Sequence, residues 1–279
     1  MLKRFYLVFA VFFVLYLSSC VSTVSIKKEN TFKTPEQVEA SWLKLNSYAD
    51  TFDFFIEEPK AICHAVKIDL KSPNLKINPF PQAHSEPLYP AISASKLAEN
   101  NDIVINTTPF AYRSNSISFR VPVGILQTYN LKYSSPNPKY CALAIYKTEN
   151  SYSAKIVQSQ GFIPEPEKEE TILSIQGGFW QILKDGRQLD FIDNQDSRTA
   201  CGLSKDGNTF YILVAEGEVK SQSIGLSFNQ SGSVLQNLGC WNAMQFDGGS
   251  STSLYINRRN VLKYPKNPIL PAFLCFTSK

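Results

Sequence analysis

Three short segments carry the side chains best suited to chemistry, and the densest is a glycine-serine run. Asp247 begins the run Asp247-Gly248-Gly249-Ser250-Ser251, which follows one apolar stretch and precedes another. Adjacent glycines let the backbone approach a ligand closely, and the exposed amides and hydroxyls of such a turn form an anion-binding concavity. A carboxylate beside that concavity can serve as acid, base or metal ligand. Taken alone, Asp-Gly-Gly is more often a plain hairpin turn.

Two further segments place a charged side chain next to a predicted strand. Arg198 starts a strand-like run, and arginine offers a planar fork of donors that matches phosphate oxygens and stays charged near neutral pH. Glu216 and Gly217 follow the apolar run Thr209 to Ala215. Each has a plainer interpretation, because a surface arginine at a strand start and an acidic turn both occur without any function.

The order and spacing of these segments resemble the phosphodiester glycosidase family, whose enzymes act on a sugar joined to phosphate through its anomeric oxygen. The family pattern is an Arg-Thr-Ala-Ile-Gly strand, an acidic residue and Gly after the next strand, a helix, and a Leu-Gly-Cys-x-Asn-Ala-x-x-x-Asp-Gly-Gly-Gly-Ser block. The segments of this chain that match it are Arg198 to Leu203, Tyr211 to Gly217, Leu238 to Ser251 and, upstream, Ile105 to Phe110, Pro122 to Gly124 and Gly177 to Gly186. The resemblance covers about Asp102 to Tyr264.

Several residues depart from the family pattern. Thr107 and Thr108 replace paired glycines, Ser250 replaces the third glycine of the Asp block, Cys201 replaces isoleucine, and Glu216 stands where aspartate is common. Thr107, Thr108 and Ser250 place side chains where the family pattern has glycine, at positions that suit bare backbone. We therefore expect a narrowed or reshaped sugar pocket.

The resemblance implies a hydrolase that cleaves a sugar-1-phosphodiester bond. Hydrolysis needs a neutralised phosphate and support for a positively charged, sugar-like transition state. Asp247 is the expected essential carboxylate, Glu216 is the second, and Asn106 is expected to orient a sugar hydroxyl or the attacking water. The expected phosphate-binding groups are Arg198, Gly248, Gly249, Ser250 and Ser251. No cofactor is required, although carboxylate and carbonyl oxygens near Asp247 would suit Ca²⁺ or Mg²⁺.

The elements that must position these residues are mostly strands. Short runs rich in Val, Ile, Phe and Tyr, broken by Pro, Asn and Gly, predict an α+β domain with a strand-rich mixed sheet and a few flanking helices. The predicted helices are Pro35 to Tyr48, Ser93 to Glu99 and Gly232 to Leu238. The predicted strands are Ala61 to Leu70, Asp102 to Asn106, Val121 to Thr128, Cys141 to Lys147, Ala154 to Gln158, Thr171 to Gln176, Thr209 to Ala215, Ala243 to Phe246, Ser253 to Ile256 and Val261 to Tyr264.

The first 20 residues predict export and a lipid anchor. Lys3 and Arg4 precede an apolar run from Phe5 to Leu17, which is shorter than the roughly 20 residues that span a membrane. The run ends in Leu17-Ser18-Ser19-Cys20, which resembles the lipobox of bacterial lipoproteins, with Cys20 as the lipidated residue. A plain secretory signal with an incidental cysteine is the alternative. We expect a signal peptide over residues 1–19, a tether over 20–33, one domain over 34–279, and attachment to the cell membrane or the outer membrane.

Composition narrows the class of partner. The chain has 279 residues, 43 % of them hydrophobic and 19 % charged, which is typical of globular proteins. A net charge of +4 without a basic run gives no indication of nucleic-acid binding, so the expected partners are a carbohydrate phosphodiester and, through the lipid, a membrane. The five cysteines after Cys20 show no metal-binding spacing and are expected as small buried residues.

A binding protein is the main alternative to an enzyme. Thr107, Thr108 and Ser250 would suit a surface lipoprotein that holds a glycan or another anion without cleaving it. A structural envelope protein is a further alternative, and it predicts no concave site near Arg198 and Asp247. His64 and His84 are expected in the core or on the surface, and not in a catalytic triad.

Overall fold

The computed structural model describes residues 41–82, 91–113 and 116–279, and this part of the chain is dominated by strands. The predicted signal peptide, the tether and Cys20 lie outside the described residues. The described residues all belong to one compact unit, Phe32–Lys279. Within them, no helix is long and apolar enough to cross a membrane.

Short strands make up the fold. In chain order they are β1 (Leu43–Lys44), β2 (Ala49–Ile56), β3 (Ala61–Asp69), β4 (Leu75–Phe80), β5 (Ile92–Ser93), β6 (Ile103–Asn106), β7 (Phe110–Arg113), β8 (Ser116–Pro122), β9 (Leu126–Thr128), β10 (Leu131–Ser134), β11 (Ala142–Lys147), β12 (Tyr152–Val157), β13 (Thr171–Gly177), β14 (Gln181–Lys184), β15 (Arg187–Gln188), β16 (Arg198–Leu203), β17 (Thr209–Ala215), β18 (Asn242–Gln245), β19 (Leu254–Ile256), β20 (Arg259–Asn260), β21 (Ile269–Leu270) and β22 (Phe273–Ser278). The helices are α1 (Ala94–Ala98) and α2 (Phe228–Asn237).

The strands form one large sheet and several smaller ones. The central sheet has eight strands in the order β1-β2-β3-β17-β16-β18-β14-β15. Two five-stranded sheets have the orders β10-β9-β13-β11-β12 and β20-β19-β6-β22-β4. Every strand pair that the structure describes is antiparallel. The strand-rich prediction is confirmed in this form: the fold is mostly β, with antiparallel sheets in place of the mixed sheet that was expected.

The central sheet is buried on both faces, as β17 shows. Ile212 and Val214 pack into the main core, which the two five-stranded sheets also line. Leu213 and Ala215 point the opposite way and pack with residues of α2. Since successive side chains of a strand alternate between faces, a strand covered on both sides is a continuous apolar run. The prediction for Thr209 to Ala215 therefore matches β17 at both ends.

The helix predictions had mixed outcomes. Helix α1 agrees with the predicted Ser93 to Glu99 segment, and α2 begins before the predicted Gly232 because Ser227 and Gln230 form a capping box at its start. The predicted helix toward Tyr48 is wrong over its described part: Leu43–Lys44 is a strand that pairs with Asp50 and Thr51. The earlier part of that prediction, Pro35 to Ala40, lies outside the described residues.

Candidate active site

Four neighbouring strands bring the chemistry-bearing residues to one end of the central sheet. The strands β17, β16, β18 and β14 are adjacent in that order, and each neighbouring pair is antiparallel. The ends of β17 and β18 therefore lie beside the starts of β16 and β14. Glu216 follows β17, Arg198 begins β16, Asp247 comes shortly after β18, and Trp180 precedes β14. We call these four residues the sheet-end row, which extends over about 14 Å at the usual strand spacing of about 4.8 Å.

The loop that carries Asp247 is anchored to two sheets. The Asp247 amide donates to the Thr107 carbonyl at 2.9 Å, and Asn106 Nδ2 donates to the Asp247 carbonyl at 2.8 Å. On the other side, the Gly249 amide donates to the Ser197 carbonyl at 2.8 Å. Gly249 has a φ of +56°, and a Cβ on Gly248 would lie 2.5 Å from the Ser197 oxygen. Both glycines are thus required by the path of the backbone.

Asp247 is half-buried, and its carboxyl has no charged partner among the described residues. Its hydrogen bonds come from its own loop: the Gly248 amide donates to Oδ1 at 3.1 Å, and the Ser251 side chain contributes a second bond. No ion pair with Asp247 occurs among the described residues. Burial, which outweighs these two bonds, raises the pKa of Asp247 to about 6.

Asn106 has a structural role in the Asp247 loop, and its expected contact with substrate stays a prediction. Its side chain is 1 % exposed. Its Oδ1 accepts from Thr199 Oγ1 at 2.8 Å and from the Ser253 amide at 2.9 Å, while Nδ2 holds the Asp247 carbonyl. Both the oxygen and the nitrogen of this buried amide are therefore engaged within the protein. Asn106 positions the Asp247 loop.

Arg198 is largely committed to the neighbouring loop. Nε donates to the Leu226 carbonyl at 2.8 Å, and Nη2 donates to Asp193 Oδ2 at 2.9 Å and to the Asn194 carbonyl at 2.6 Å. The guanidinium also lies 4.3 Å from the centre of the Phe228 ring. Nη1 makes no hydrogen bond within the described ranges, so it is the nitrogen with donors left for an anion.

Glu216 belongs to a hydrogen-bonded cluster with His64 and Asp53 that the sequence did not predict, in which His64 and Glu216 are buried and Asp53 is exposed. Its Oε1 accepts from His64 Nε2 and from the Lys263 amide, both at 2.9 Å, and Oε2 accepts from the Tyr264 amide at 3.1 Å. On its other nitrogen, His64 Nδ1 contacts Asp53 Oδ1 at 2.8 Å. These donors lower the pKa of Glu216 in spite of its burial. Burial opposes a charge on His64, but the bonds to Asp53 and Glu216 prevail and raise its pKa to about 9.

His64 was expected in the core or on the surface and outside any catalytic triad. The structure places it in β3, with partners 11 and 152 residues away in sequence. The sequence signal for these contacts was weak, because His64 is a single histidine in a mostly apolar strand. His84 lies outside the described residues.

Three departures from the family pattern, Thr107, Thr108 and Ser250, lie in two different environments. Thr107 and Thr108 are 0 % and 2 % exposed, and their hydroxyls donate to Gln176 Oε1 at 2.7 and 3.3 Å. They therefore fill the interior and do not narrow an open pocket, contrary to expectation. Ser250, in contrast, is exposed on the Asp247 loop.

A small concavity lies between the Asp247 loop and the Glu216 region. It is shallow, because its cavity volume is about 10 Å³, roughly the space of one water molecule. Its lining includes Ser197, Glu216, Gly249, Ser250 and Tyr264. The structure thus brings Glu216 and the glycine-serine run to one cleft, with the Arg198 and Asp247 backbones beside it. Among the described contacts, the Arg198, Glu216 and Asp247 side chains do not hydrogen-bond to one another.

The amides expected to bind phosphate are partly used within the protein. Those of Gly248 and Gly249 bond to Asp247 Oδ1 and the Ser197 carbonyl, and that of Ser251 bonds to the Gly248 carbonyl at 3.1 Å. Ser250 is the member of the run most open to solvent. No group of three His, Cys, Asp or Glu side chains that could hold a metal ion occurs in the described ranges.

The comparisons with known proteins give one family and several similar structures. A family model described as phosphodiester glycosidase matches residues 99–274. No curated protein sequence matches the chain. Among solved structures, the catalytic domain of zebrafish N-acetylglucosamine-1-phosphodiester alpha-N-acetylglucosaminidase, auto-inhibited by its pro-peptide, matches with a TM-score of 0.61 and 14% identity over 83% of each chain.

A hypothetical protein from Synechocystis also matches, with a TM-score of 0.61 and 14% identity over 85% of this chain. This chain covers 63% of the length of the Synechocystis protein. A protein from Burkholderia pseudomallei matches with a TM-score of 0.57 and 11% identity, covering 78% of this chain and 74% of its own. Identities this low show a shared fold.

Proposed function

The chain belongs to the phosphodiester glycosidase family, and from that premise we propose that it is a hydrolase that cleaves sugar-1-phosphodiester bonds. The observation that carries the proposal is the half-buried Asp247 carboxyl, which has no charged partner among the described residues and whose pKa is raised to about 6 by partial burial. A structural carboxylate is normally compensated, as Glu216 is. An uncompensated one beside a cleft is typical of a group kept for chemistry.

The proposed reaction places Asp247 beside the anomeric carbon. As a carboxylate it supports the positive charge that develops on the sugar while water attacks that carbon. The phosphate departs as a stable anion, so little proton donation is needed. A pKa of about 6 keeps Asp247 largely ionised at neutral pH. Activity should therefore fall as the pH drops through 6.

The proposed phosphate contacts are Arg198 Nη1 and the exposed Ser250. Arg198 is held by three hydrogen bonds, so the direction of its remaining donors is fixed in advance. Glu216 is proposed as the second, supporting carboxylate. It holds the Lys263 and Tyr264 amides and so shapes the cleft wall opposite Ser250.

The proposed reaction uses no metal or cofactor. The experiment below tests whether a Ca²⁺ or Mg²⁺ ion beside Asp247 also takes part. Dialysis against EDTA should leave turnover unchanged. A loss of turnover that Ca²⁺ or Mg²⁺ restores would place a cation in the mechanism.

The activity is tested with a panel of methyl and aryl sugar-1-phosphodiesters and of nucleotide sugars, in which the anomeric phosphate is joined to a second phosphate. The name of the zebrafish relative suggests including N-acetylglucosamine derivatives in the panel. The purified chain should release free sugar from at least one of them, and Asp247→Asn should release none. Asp206→Asn is the matched control, because Asp206 is a carboxylate in an exposed turn that bonds to Ser204 and Asn208. Equal turnover by wild type and Asp247→Asn would reject the proposed role of Asp247.

The alternative is a glycan- or anion-binding surface protein on the same fold. It is favoured by the loop amides already engaged within the protein and by the small volume of the cleft. This alternative predicts that the panel yields no free sugar although a sugar phosphate binds to the wild-type chain.

We further propose an envelope location, with the mature chain attached by lipid on Cys20. The support is the Leu17-Ser18-Ser19-Cys20 motif after a short apolar run. In that location the substrate would be a phosphate-linked sugar outside the cytoplasm.

A further inference from the structure

A cluster of five aromatic rings lies at the β14 side of the sheet-end row. The rings of Tyr140, Phe179, Trp180, Phe191 and Phe228 form what we call the aromatic cluster, with Trp180 in contact with the other four. Its ring centroids lie 5.5 Å from those of Tyr140 and Phe179, 5.8 Å from Phe228 and 6.4 Å from Phe191. Trp180 is therefore held on several sides.

The cluster is continuous with the proposed active site. The Phe179 amide donates to the Gln245 carbonyl at 2.8 Å, and the Gln245 amide donates to the Trp180 carbonyl at 2.9 Å, two residues before Asp247. On the far side of β18, the Arg198 guanidinium lies over Phe228, a member of the cluster. Trp180 and Arg198 thus flank the segment that leads to Asp247.

Packing fixes the Trp180 backbone, and Phe179 stacks on the indole, while the residue stays partly exposed. A Cβ on Gly178 would lie 2.3 Å from Met244 Cε and 2.5 Å from the Gln245 carbonyl, so the chain before Trp180 is pressed against β18. Yet Trp180 remains 39% exposed. A large aromatic ring that is rigidly held and still open to water is typical of a binding surface, because it offers contact area at a low cost in conformational entropy.

We infer that Trp180 is the stacking platform for the sugar ring of the substrate. The inference rests on the proposed function and adds a specificity-determining residue to it. A pyranose ring has an apolar face of C–H groups that matches an indole, and its anomeric phosphate carries the charge that suits Arg198. Along the sheet end the residues follow the order Trp180, Asp247, Arg198. This order matches a substrate whose sugar ring lies on Trp180, whose anomeric carbon lies beside Asp247 and whose phosphate lies beside Arg198.

Steady-state kinetics of the full chain test the platform. With the best nucleotide sugar, Trp180→Ala should raise KM about tenfold. This change corresponds to the loss of about 1.4 kcal/mol of binding free energy from one aromatic contact. Trp180→Phe should restore most of the affinity. Trp241→Ala is the matched control, because Trp241 precedes β18 at its opposite end and contacts Lys205. Its KM should equal that of the wild type, and melting curves check that all variants are folded.

Calorimetric titration with N-acetylglucosamine 1-phosphate separates this inference from the proposed function. In the Asp247→Asn background, which is expected not to turn over, adding Trp180→Ala should weaken binding about tenfold. If no substrate is hydrolysed but Trp180→Ala weakens binding about tenfold, the inference about Trp180 is supported and the hydrolase proposal is rejected. If Trp180→Ala changes neither KM nor the dissociation constant while the protein is folded, the inference is overturned.

Discussion

Glu216 is buried and Asp247 is half-buried, and the two carboxyls of the sheet-end row are stabilised in opposite ways. Glu216 receives three hydrogen bonds, one of them from His64, and its pKa is lowered. Asp247 has donors from its own loop, and its pKa is raised to about 6. Because burying an uncompensated charge costs free energy, the protein retains a destabilising group at Asp247. This contrast supports the proposal that Asp247 carries the chemistry and that Glu216 has a supporting role.

A first prediction is that Asp247→Asn stabilises the fold while it removes activity. Between about pH 4 and pH 6 the folded state keeps a proton on Asp247 that the unfolded chain releases, so stability contributed by this group falls as pH rises through that range. The neutral amide avoids this loss. At pH 7 the variant should be more stable by on the order of 1–2 kcal/mol, and the difference should vanish near pH 4.

Urea unfolding at several pH values measures this difference. Asp206→Asn is again the control, since hydrogen bonds from Ser204 and Asn208 lower the pKa of Asp206 and its ionised form is favoured in the fold. That variant should gain no stability at pH 7. A variant Asp247→Asn that is less stable than wild type at pH 7 would contradict the raised pKa.

A second prediction concerns His64. Because its bonds to Asp53 and Glu216 raise its pKa to about 9, its contribution to stability is complete below the ordinary histidine value of 6.5 and is lost as pH rises through 9. His64→Gln should abolish this loss, which amounts to at most about 1.4 kcal/mol per pH unit. The free energy of unfolding, measured from pH 6 to 10, gives the comparison. Parallel profiles for wild type and variant would exclude a charged His64.

At the scale of elements, the sequence predicts strands and loops correctly where neighbouring residues determine them. The run Thr209 to Ala215 predicts β17 because a strand buried on both faces needs an unbroken apolar stretch. Glycine pairs and the Asp247 motif mark a loop because the backbone there requires residues without a side chain. The order of the motifs also predicted the family, and the match to residues 99–274 confirms it.

The failures at this scale have tertiary causes. The apolar spacing of Trp42, Leu45 and Tyr48 suggested a helix, yet Tyr48 is buried in the core and Trp42 packs on Phe52 and Tyr211 from an extended chain. The apolar run from Val261 to Tyr264 is no strand in the structure, because the Lys263 and Tyr264 amides bond to Glu216. Contacts between residues distant in sequence decided both cases, and a single sequence does not contain them.

A third prediction tests the loop as an element. In Gly248→Ala the new methyl group would lie 2.5 Å from the Ser197 carbonyl, so the loop must shift. We expect a loss of stability on the order of 1–3 kcal/mol, together with loss of turnover, because Asp247 moves with the loop. The measurements are thermal unfolding and release of free sugar.

Gly207→Ala is the matched control for this prediction. Gly207 has a φ of +73°, but no atom lies within 4 Å of the Cβ position, so the cost there is conformational strain alone. Strain in the left-handed region should cost about 1 kcal/mol and leave turnover intact. Full activity of Gly248→Ala would show that the loop position is not critical.

At the scale of the whole molecule, the site depends on the complete central sheet. The sheet-end row draws on residues from Trp180 to Asp247, and His64 joins it through β3, which pairs with β17. Asn106 and Thr107 anchor the Asp247 loop from a second sheet. A partial domain would therefore lose either the row or the anchor of its loop.

The attachment of this unit to a membrane is the last prediction. A lipid on Cys20 would contribute about 0.8 kcal/mol for each buried methylene, whereas a net charge of +4 gives weak attraction to a surface. Expressed from a bacterium with labelled palmitate, the wild-type chain should carry the label on an N-terminal peptide that begins at Cys20. Cys20→Ser should carry no label and should retain residues 1–19, while Ser25→Ala in the tether should behave as wild type. A wild-type N-terminal peptide without acyl groups would refute the anchor and leave the active-site proposals untouched, because those rest on residues far along the chain.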